Sequence, residues 1–423
     1  MDSNYIIACA AFIFLSFLLL IARLRRKRMQ PEDTAKFRRN LMKQANFYRP
    51  DANALKSANV KLTPVLDSIK KSGYRLQINR VHFLLAEKFG FCWGVERSIA
   101  IAELAHRNFP QKKIFLTNEL IHNPDVNAKL KSMGVIFLDR KSKGSAYLSS
   151  VKSGDVVILP AFGAQFCDVK ELDAIGAIIV DSTCPWVTKV WNVVEKHKRA
   201  GFTSVIHGTA NHEETEATKS MAWKFLIVKN LAEAEAVARF IEFGGDAAAF
   251  NLKFLEKSKG FDPVADLVRI GVANQTTMLK SETEEVSRVL KAAVEKKPGG
   301  SFMSLNTICD ATQERQDAML KMCHDNAHID VMLIIGGFNS SNTMHLLEIA
   351  NDAKSVKCAF HIDSARRIDI ANNLIEHKIL HGQIVLESFL PLGVDITVGI
   401  TSGASTPDEV VEDCLNRILS ISA

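Results

Sequence analysis

Three of the eight cysteines, Cys92, Cys184 and Cys309, stand where a β-rich run gives way to a helical pattern. Cys92 follows VHFLLAEKFGF, Cys184 follows AIIVDST and Cys309 follows FMSLNTI. A side chain at the carboxyl end of a strand lies at the mouth of an open α/β sheet, where ligands collect. A helix N-terminus at that point favours a thiolate, the form that binds metal. Three thiolates rather than four leave one position open on whatever they hold, so such a centre is reactive as well as structural. Each cysteine taken singly also has a packing reading, because free cysteine often behaves as a small buried hydrophobe. The shared strand-to-helix position sets these three apart; Cys167, Cys323, Cys358 and Cys414 lie in other contexts and keep the packing reading.

Acids and imidazoles come next. His122 in TNELIHNP stands just after a strand, with Pro124 close behind. His212 and Glu214 in HGTANHEETEAT resemble part of the H-E-x-x-H zinc motif, but position 216 is glutamate, which excludes that site. A carboxylate two residues from an imidazole suits a proton donor beside an anion-binding group. The plain alternative for a loop histidine is solvent exposure. Two polar turns offer an anion cradle. GGFNSSNTMHLLEIA places Asn339, Ser340, Ser341, Asn342 and Thr343 between a strand and a helix, and ITSGASTPDEVVEDCL does the same with Ser402, Ser405 and Thr406. Pro407 sits at a first helical position. Both turns serve as helix N-caps, and together their free N–H groups and hydroxyls suit a phosphate or diphosphate. Neither is a Walker A or G-x-G-x-x-G loop, so no nucleotide follows. A third polar turn, ANQTTM, brings Gln275, Thr276 and Thr277 to a strand end. A three-thiolate centre beside an acid, two imidazoles and an anion cradle matches a 4Fe–4S cluster held by three cysteines. Its open iron can take a substrate hydroxyl as a Lewis acid.

The elements that must position these residues alternate. At 423 residues the chain predicts two or three domains. From residue 81, β-rich runs (VHFLLAE, KKIFLTN, VIFLD, VVILPAF, IIVDST, TSVIHG, FLIVKN, VRIGVAN, VMLIIGG, CAFHID, ITVGITSG) alternate with helical stretches. Among the latter are VERSIAIAELAHR, VTKVWNVVEKHKRA, KSETEEVSRVLKAAVEKK and PDEVVEDCLNRILS. Strand–helix alternation predicts an α/β fold with parallel sheets and flanking crossover helices. Division at the cysteines predicts three small pseudo-repeated α/β domains, 80–183, 184–308 and 309–423, the last ending in a helix. The repeat lies in element order. Before them come a leader (1–30) and a polar extension (31–79) read as surface helices and loops; 243–263 reads as a surface insertion.

The formal net charge is +6, of which the leader supplies +4 through Arg23, Arg25, Arg26, Lys27 and Arg28 against Asp2. The basic balance is a leader effect, and no nucleic-acid partner is expected. Tyr5–Ala22 is an apolar run, with Ser16 its one hydroxyl besides Tyr5, followed by RLRRKR and near the shortest length that spans a bilayer. It reads as a signal anchor that engages a membrane, with a cleaved leader as the alternative. Scattered cysteines without a C-x-x-C pair argue for a soluble body in a reducing compartment.

With those residues in view, the chain resembles the 4-hydroxy-3-methylbut-2-enyl diphosphate reductase (IspH/LytB) family. The resemblance is carried by FGFCWGVERSIAIA, TNELIHNPDVN, IIVDSTCPWVTKVW, SVIHGTANHEETEAT, GVANQTTMLK, NTICDATQERQDAM, GGFNSSNT and TSGASTPDEVVED, in the family's order over most of 80–420. FRRNLMKQANFYRP (37–50) resembles the extension of the plant and cyanobacterial branch. The resemblance implies a trefoil of three domains around a central iron–sulfur site. It implies Cys92, Cys184 and Cys309 as ligands of a 4Fe–4S cluster, and His122, His212, Ser340, Ser341, Asn342 and Ser405 as holders of an allylic diphosphate. Thr276 would orient the substrate hydroxyl and Glu214 would deliver the proton. It further implies a ferredoxin-type electron donor and a plastid-type organelle, which the hydrophobic leader would reach through the secretory route. Two departures stand out. Bacterial members carry histidine where this chain and the plant-type branch read Ala161-Phe162-Gly163, so one imidazole is absent; and Phe338 stands where plant-type members tend to have tryptophan.

Overall fold

The structure, a computed structural model, describes residues 33–48, 50, 62–139, 146–305 and 307–422. The leader lies outside the described residues, and among those described no helix is long and apolar enough to cross a membrane.

Runs of β-branched and large aliphatic residues become strands buried on both faces, the pattern of parallel sheets covered by helices. They form three sheets. The first, all parallel, runs in the order Phe47–Tyr48, Ile178–Asp181, Val156–Leu159, Ile114–Leu116, Ile136–Phe137. The second, also parallel, runs Ser301–Ser304, Arg269–Asn274, Thr203–His207, Phe225–Val228. The third has a parallel centre of Val356–Ile362, Ile329–Ile335, Ile396–Ser402 and Val81–Leu85. Residues from all three sheets line one central cavity, giving a trefoil arrangement.

Sheet membership departs from chain order in one place. Val81–Leu85 pairs in parallel with Ile396–Ser402, so the strand preceding Cys92 belongs to the third sheet rather than to the unit beginning at residue 80. Chain position predicts the partner of a strand joined by a short crossover; it cannot reveal a first strand that completes the sheet built by the last. The third sheet is also mixed. Arg75–Ile78 pairs antiparallel at one edge, and at the other Leu374–Lys378 carries Ile368–Asp369 and Ile384–Ser388 as antiparallel neighbours. The alternating burial of Leu374–Lys378 is that of a strand with one wet face.

Two segments read as surface carry core residues. Within 243–263 a short helix, Ala247–Lys253, turns Phe250 inward, and Phe250, Phe254 and Phe261 join the core of the second sheet against Phe240. In the extension, helix Pro64–Lys71 buries Leu66 and Ile69 against the C-terminal helix Asp408–Ser422, whose Glu412 accepts from the N–H groups of Val65 and Leu66 at 3.1 and 2.7 Å. Helix Thr34–Leu41 packs on Pro185–Ala200, with Thr34 hydrogen-bonded to Glu195 and Arg38 stacked 4.3 Å over Trp191. Of the cysteines with a packing reading, Cys323 and Cys414 are buried, whereas Cys167 and Cys358 are exposed.

Candidate active site

The residues singled out for chemistry follow the carboxyl ends of parallel strands. Cys92, Cys184, Cys309, His122, His212, Glu214, Thr276, Thr277, Ser340, Ser341, Asn342 and Ser405 line one central cavity, whereas Gln275, Asn339, Thr343, Ser402 and Thr406 stand behind its lining. Each of the three cysteines is the N-cap of a helix: Cys92 before Trp93–Asn108, Cys184 before Pro185–Ala200 and Cys309 before Asp310–Asp325. Each is pinned by its own N–H to a different strand end. Cys92 donates to Ala404 O at 3.0 Å, Cys184 to Ala161 O at 2.9 Å and Cys309 to Thr276 O at 3.2 Å. Further bonds lace these segments together. Ser98 on the Cys92 helix donates to Ser182 O at 2.7 Å, and Arg97 donates to Thr183 O at 3.2 Å.

Gly94 explains how close the thiols come. A Cβ there would stand 2.6 Å from Cys184 Sγ and 3.9 Å from Cys92 Sγ. The Cys309 thiol faces the same cavity, donating to Thr312 Oγ1 at 3.0 Å and accepting from Thr312 N–H at 3.3 Å. Three thiols converging on a space kept clear by a glycine fit a group that takes three thiolate ligands. The lowered thiol pKa expected at a helix N-terminus does not materialise. Burial outweighs the N–H groups of Trp186 and Val187 and pushes Cys184 up to about 11, and burial likewise lifts Cys309 to about 12. Loading such a site therefore releases protons.

Across the cavity stands Glu214. Its carboxylate accepts from Thr276 N–H at 2.7 Å and from the Thr276 hydroxyl at 2.8 Å, and almost none of it reaches solvent. Burial pushes its pKa up to about 7, against the opposing pull of both Thr276 bonds. Gln275 fastens the two loops concerned: its Oε1 accepts from Thr209 N–H and the Thr215 hydroxyl, and its Nε2 donates to Thr277. Asn274 at the same strand end holds Thr307 through a 2.5 Å hydroxyl bond, so one strand terminus positions both Thr276 and the approach to Cys309.

The imidazoles are buried rather than solvent-exposed. His212 caps helix Glu213–Met221, its Nδ1 accepting from Glu214 N–H at 3.2 Å, which leaves Nε2 to carry the proton. Burial, then the neighbouring His122 and His345, lowers its pKa to about 3, so it is a neutral donor. His122 bonds Glu119 through Nδ1, while its buried Nε2 makes no hydrogen bond and lies 3.6 Å from a Glu213 carboxylate oxygen. Phe162 fills the place where a third imidazole is absent. Its ring stacks on His122 at 4.3 Å and meets His212 edge-on at 5.7 Å. The turn behind it needs Gly163 (φ 84°), because a side chain there would run into the Trp191 ring.

On the remaining wall Ser340 caps helix Ser341–Asp352, and Asn342 Oδ1 accepts from Ala404 N–H. Ser405 donates to His122 O at 3.2 Å. The Ser341 hydroxyl and Asn342 Nδ2 are buried with no partner, beside a helix N-terminus. Unpaired buried donors at a positive helix end form an anion site. Sequence reasoning missed Gly94 and His345. The latter is buried one turn along from Ser341, bonded to Glu348 at 2.5 Å, with Nε2 unpartnered. Its spacing from Ser341 and Asn342 on the SNTMH helix was the available signal. Phe338 meets His361 edge-on and lies under Arg367, outside the cavity lining.

Fold and site together define an α/β trefoil protein with a three-thiol centre facing a buried acid and an anion cradle. The model of the LytB protein family matches residues 83–419. The chain belongs to that family. It is 50% identical over 401 residues to the 4-hydroxy-3-methylbut-2-enyl diphosphate reductase of Thermosynechococcus vestitus, covering 92% of this chain and 98% of the relative. It is 49% identical over 403 residues to the Synechococcus enzyme of the same name, covering 92% and 99%. Among solved structures, the E-1-hydroxy-2-methyl-but-2-enyl-4-diphosphate reductase of Plasmodium falciparum shares the fold at a TM-score of 0.59 and 23% identity, covering 80% of this chain and 88% of that one.

Proposed function

We propose that the protein reduces 4-hydroxy-3-methylbut-2-enyl diphosphate to isopentenyl and dimethylallyl diphosphates, the last step of the methylerythritol phosphate route to isoprenoids. The observation that carries this reading is the buried Glu214–Thr276 pair facing three converging thiols across a cavity walled by unpaired donors. The family and its cyanobacterial relatives support it.

The conversion takes two electrons and two protons, breaks the C–O bond of the allylic alcohol and releases its oxygen as water. Cys92, Cys184 and Cys309 would hold a 4Fe–4S cluster, which when bound supplies electrons singly and an iron free of protein ligands. The chain's own residues do the rest. His212 Nε2–H, the Ser341 hydroxyl and Asn342 Nδ2 donate to the diphosphate at the N-terminus of helix Ser341–Asp352, with His122, Ser340 and Ser405 beside them. Phe162 holds the His122 ring in plane and sheds water from it. Thr276 orients the substrate hydroxyl. Protonated Glu214 donates its proton to that hydroxyl, so that it leaves as water rather than hydroxide.

Substitution of Gly94 by alanine should push the Cys184 thiol aside and cut iron incorporation severely; wild-type iron content would show that the thiols need not converge. Phe162→Ala should raise the KM for substrate by roughly threefold to tenfold through loss of ring stacking, with the cluster spectrum unchanged. An unaltered KM would remove Phe162 from the binding wall. Omitting the electron donor tests the reaction class. Turnover without any donor would indicate dehydration instead of reduction.

The electron donor in this reading is a ferredoxin-type protein. The compartment is a plastid-type organelle reached through the secretory route, a reading that rests on Tyr5–Ala22 and RLRRKR. A fluorescent fusion of residues 1–60 spread through the cytosol would contradict it.

A further inference from the structure

Arg315 lies two turns inside the helix that Cys309 caps, and only 4% of it reaches solvent. Its Nη2 donates to Gly90 O at 2.6 Å and its Nη1 to Ala311 O at 2.8 Å, while Nε has no partner. Gly90 is two residues before Cys92 and Ala311 two residues after Cys309. One guanidinium thus spans two cysteine segments separated by more than half the chain. A guanidinium stays charged in a protein, and a buried charge with no opposite charge nearby is strongly destabilising. Arg315 forms no ion pair with a carboxylate among the described residues. The acids in its neighbourhood are committed elsewhere, Glu314 to Lys88 at 3.4 Å and Asp408 to Lys70 at 2.8 Å. Burial works against its charge, and among the groups that would offset this the thiols of Cys92 and Cys309, once deprotonated by the group they hold, come ahead of Glu314 and Asp408.

We propose that Arg315 is the charge partner of the three-thiolate centre, a positioning residue whose buried cation balances the ligands' negative charge and raises the reduction potential of the group they hold. The inference rests on the iron–sulfur reading above. Carbonyl contacts alone would suit a neutral donor such as glutamine; a buried cation is tolerated here because three deprotonated thiols and an electron-accepting group supply its counter-charge. The environment of an iron–sulfur centre, including its net charge, sets its potential. A fixed positive charge in this low-dielectric setting favours the reduced state, which carries one more negative charge. Arg97, half-buried and bonded to Thr183 O, holds the Cys184 segment in a comparable way but keeps access to solvent, so its charge is screened.

The test compares Arg315→Gln and Arg315→Lys in the full chain, purified anaerobically with the cluster in place. Iron and sulfide content are assayed chemically, and the reduction potential of substrate-free protein is read by electron paramagnetic resonance during a redox titration. Arg315→Gln should shift the one-electron reduction equilibrium toward the oxidised state at least tenfold, which is 59 mV. Arg315→Lys, which keeps the charge but not the fork, should restore most of that shift. A glutamine variant at the wild-type potential overturns the role. Should the glutamine variant hold no cluster, the lysine variant decides: cluster retained near the wild-type potential upholds the charge role, and cluster equally lost shows a purely geometric clamp. An iron–sulfur signal absent from the wild-type protein itself would instead overturn the functional reading.

Discussion

Replacing Glu214 with glutamine should lower kcat by about 10²- to 10⁴-fold while leaving the iron content and visible spectrum of the protein unchanged. The amide keeps an acceptor for Thr276 N–H and nearly the same volume, but it holds no acidic proton. The loss should therefore fall on kcat, with little change in KM, because the diphosphate is bound by other walls of the cavity. Wild-type rates would refute the assigned role. The pH profile supplies a second signature. With a pKa of about 7, the carboxyl is protonated below neutrality. Activity should hold on the acid side and fall tenfold per pH unit above about 7, and the glutamine variant should lose this limb. Stability should fall in the same direction. A carboxyl whose folded pKa is raised stabilises the fold at low pH, and that contribution is lost as pH rises through about 7. Ionisation of the buried group from its ordinary 4.5 to about 7 costs roughly 3 kcal/mol above neutrality. Glu214→Gln should thus melt higher than the wild type at alkaline pH; the same melting temperature across the range would show that Glu214 ionises freely in the folded chain.

Cys184→Ser should strip most of the iron from the protein and abolish turnover, with the helix content of the chain preserved. Serine fits the space, and the Cys184 N–H bond to Ala161 O does not depend on the side chain, so the backbone has no reason to move. What is lost is a soft thiolate ligand, which a hydroxyl does not replace. The effect should be shared by Cys92→Ser and Cys309→Ser. It should be absent in Cys358→Ser, where the thiol is exposed on the third sheet, outside the cavity lining. Unchanged iron content in Cys184→Ser would remove it from the ligand set.

Much of this site was legible because its residues occupy one kind of position. A parallel strand ends, a polar or thiol residue follows, and a helix begins; periodicity locates each such junction. What periodicity cannot supply is which strand joins which sheet, and Val81–Leu85 therefore sat with the wrong neighbours until its pairing with Ile396–Ser402 was visible. Burial was the second blind spot. Phe250, Phe254 and Phe261 are spaced through a Gly- and Lys-rich stretch that reads as surface, yet they fold inward as a cluster. Burial also reverses the expected sign at Cys184 and Cys309, where the helix terminus pulls the thiol down and desolvation pushes it up further. Arg315 and His345 escaped notice because each sits inside a helix among charged or polar neighbours, where an exposed side chain is the ordinary expectation. The Phe162 substitution was legible as a missing imidazole, but its use as a stacking surface for His122 required the geometry.

The central claim is that the protein removes a hydroxyl by reduction, and electron counting tests it most directly. Anaerobically purified protein would be given the allylic diphosphate and a reduced one-electron donor, with donor oxidation and product measured together. Two donor electrons consumed for each molecule of isopentenyl or dimethylallyl diphosphate formed is the predicted result. Product formed with no electrons consumed, or electrons consumed with no loss of the hydroxyl, would contradict it.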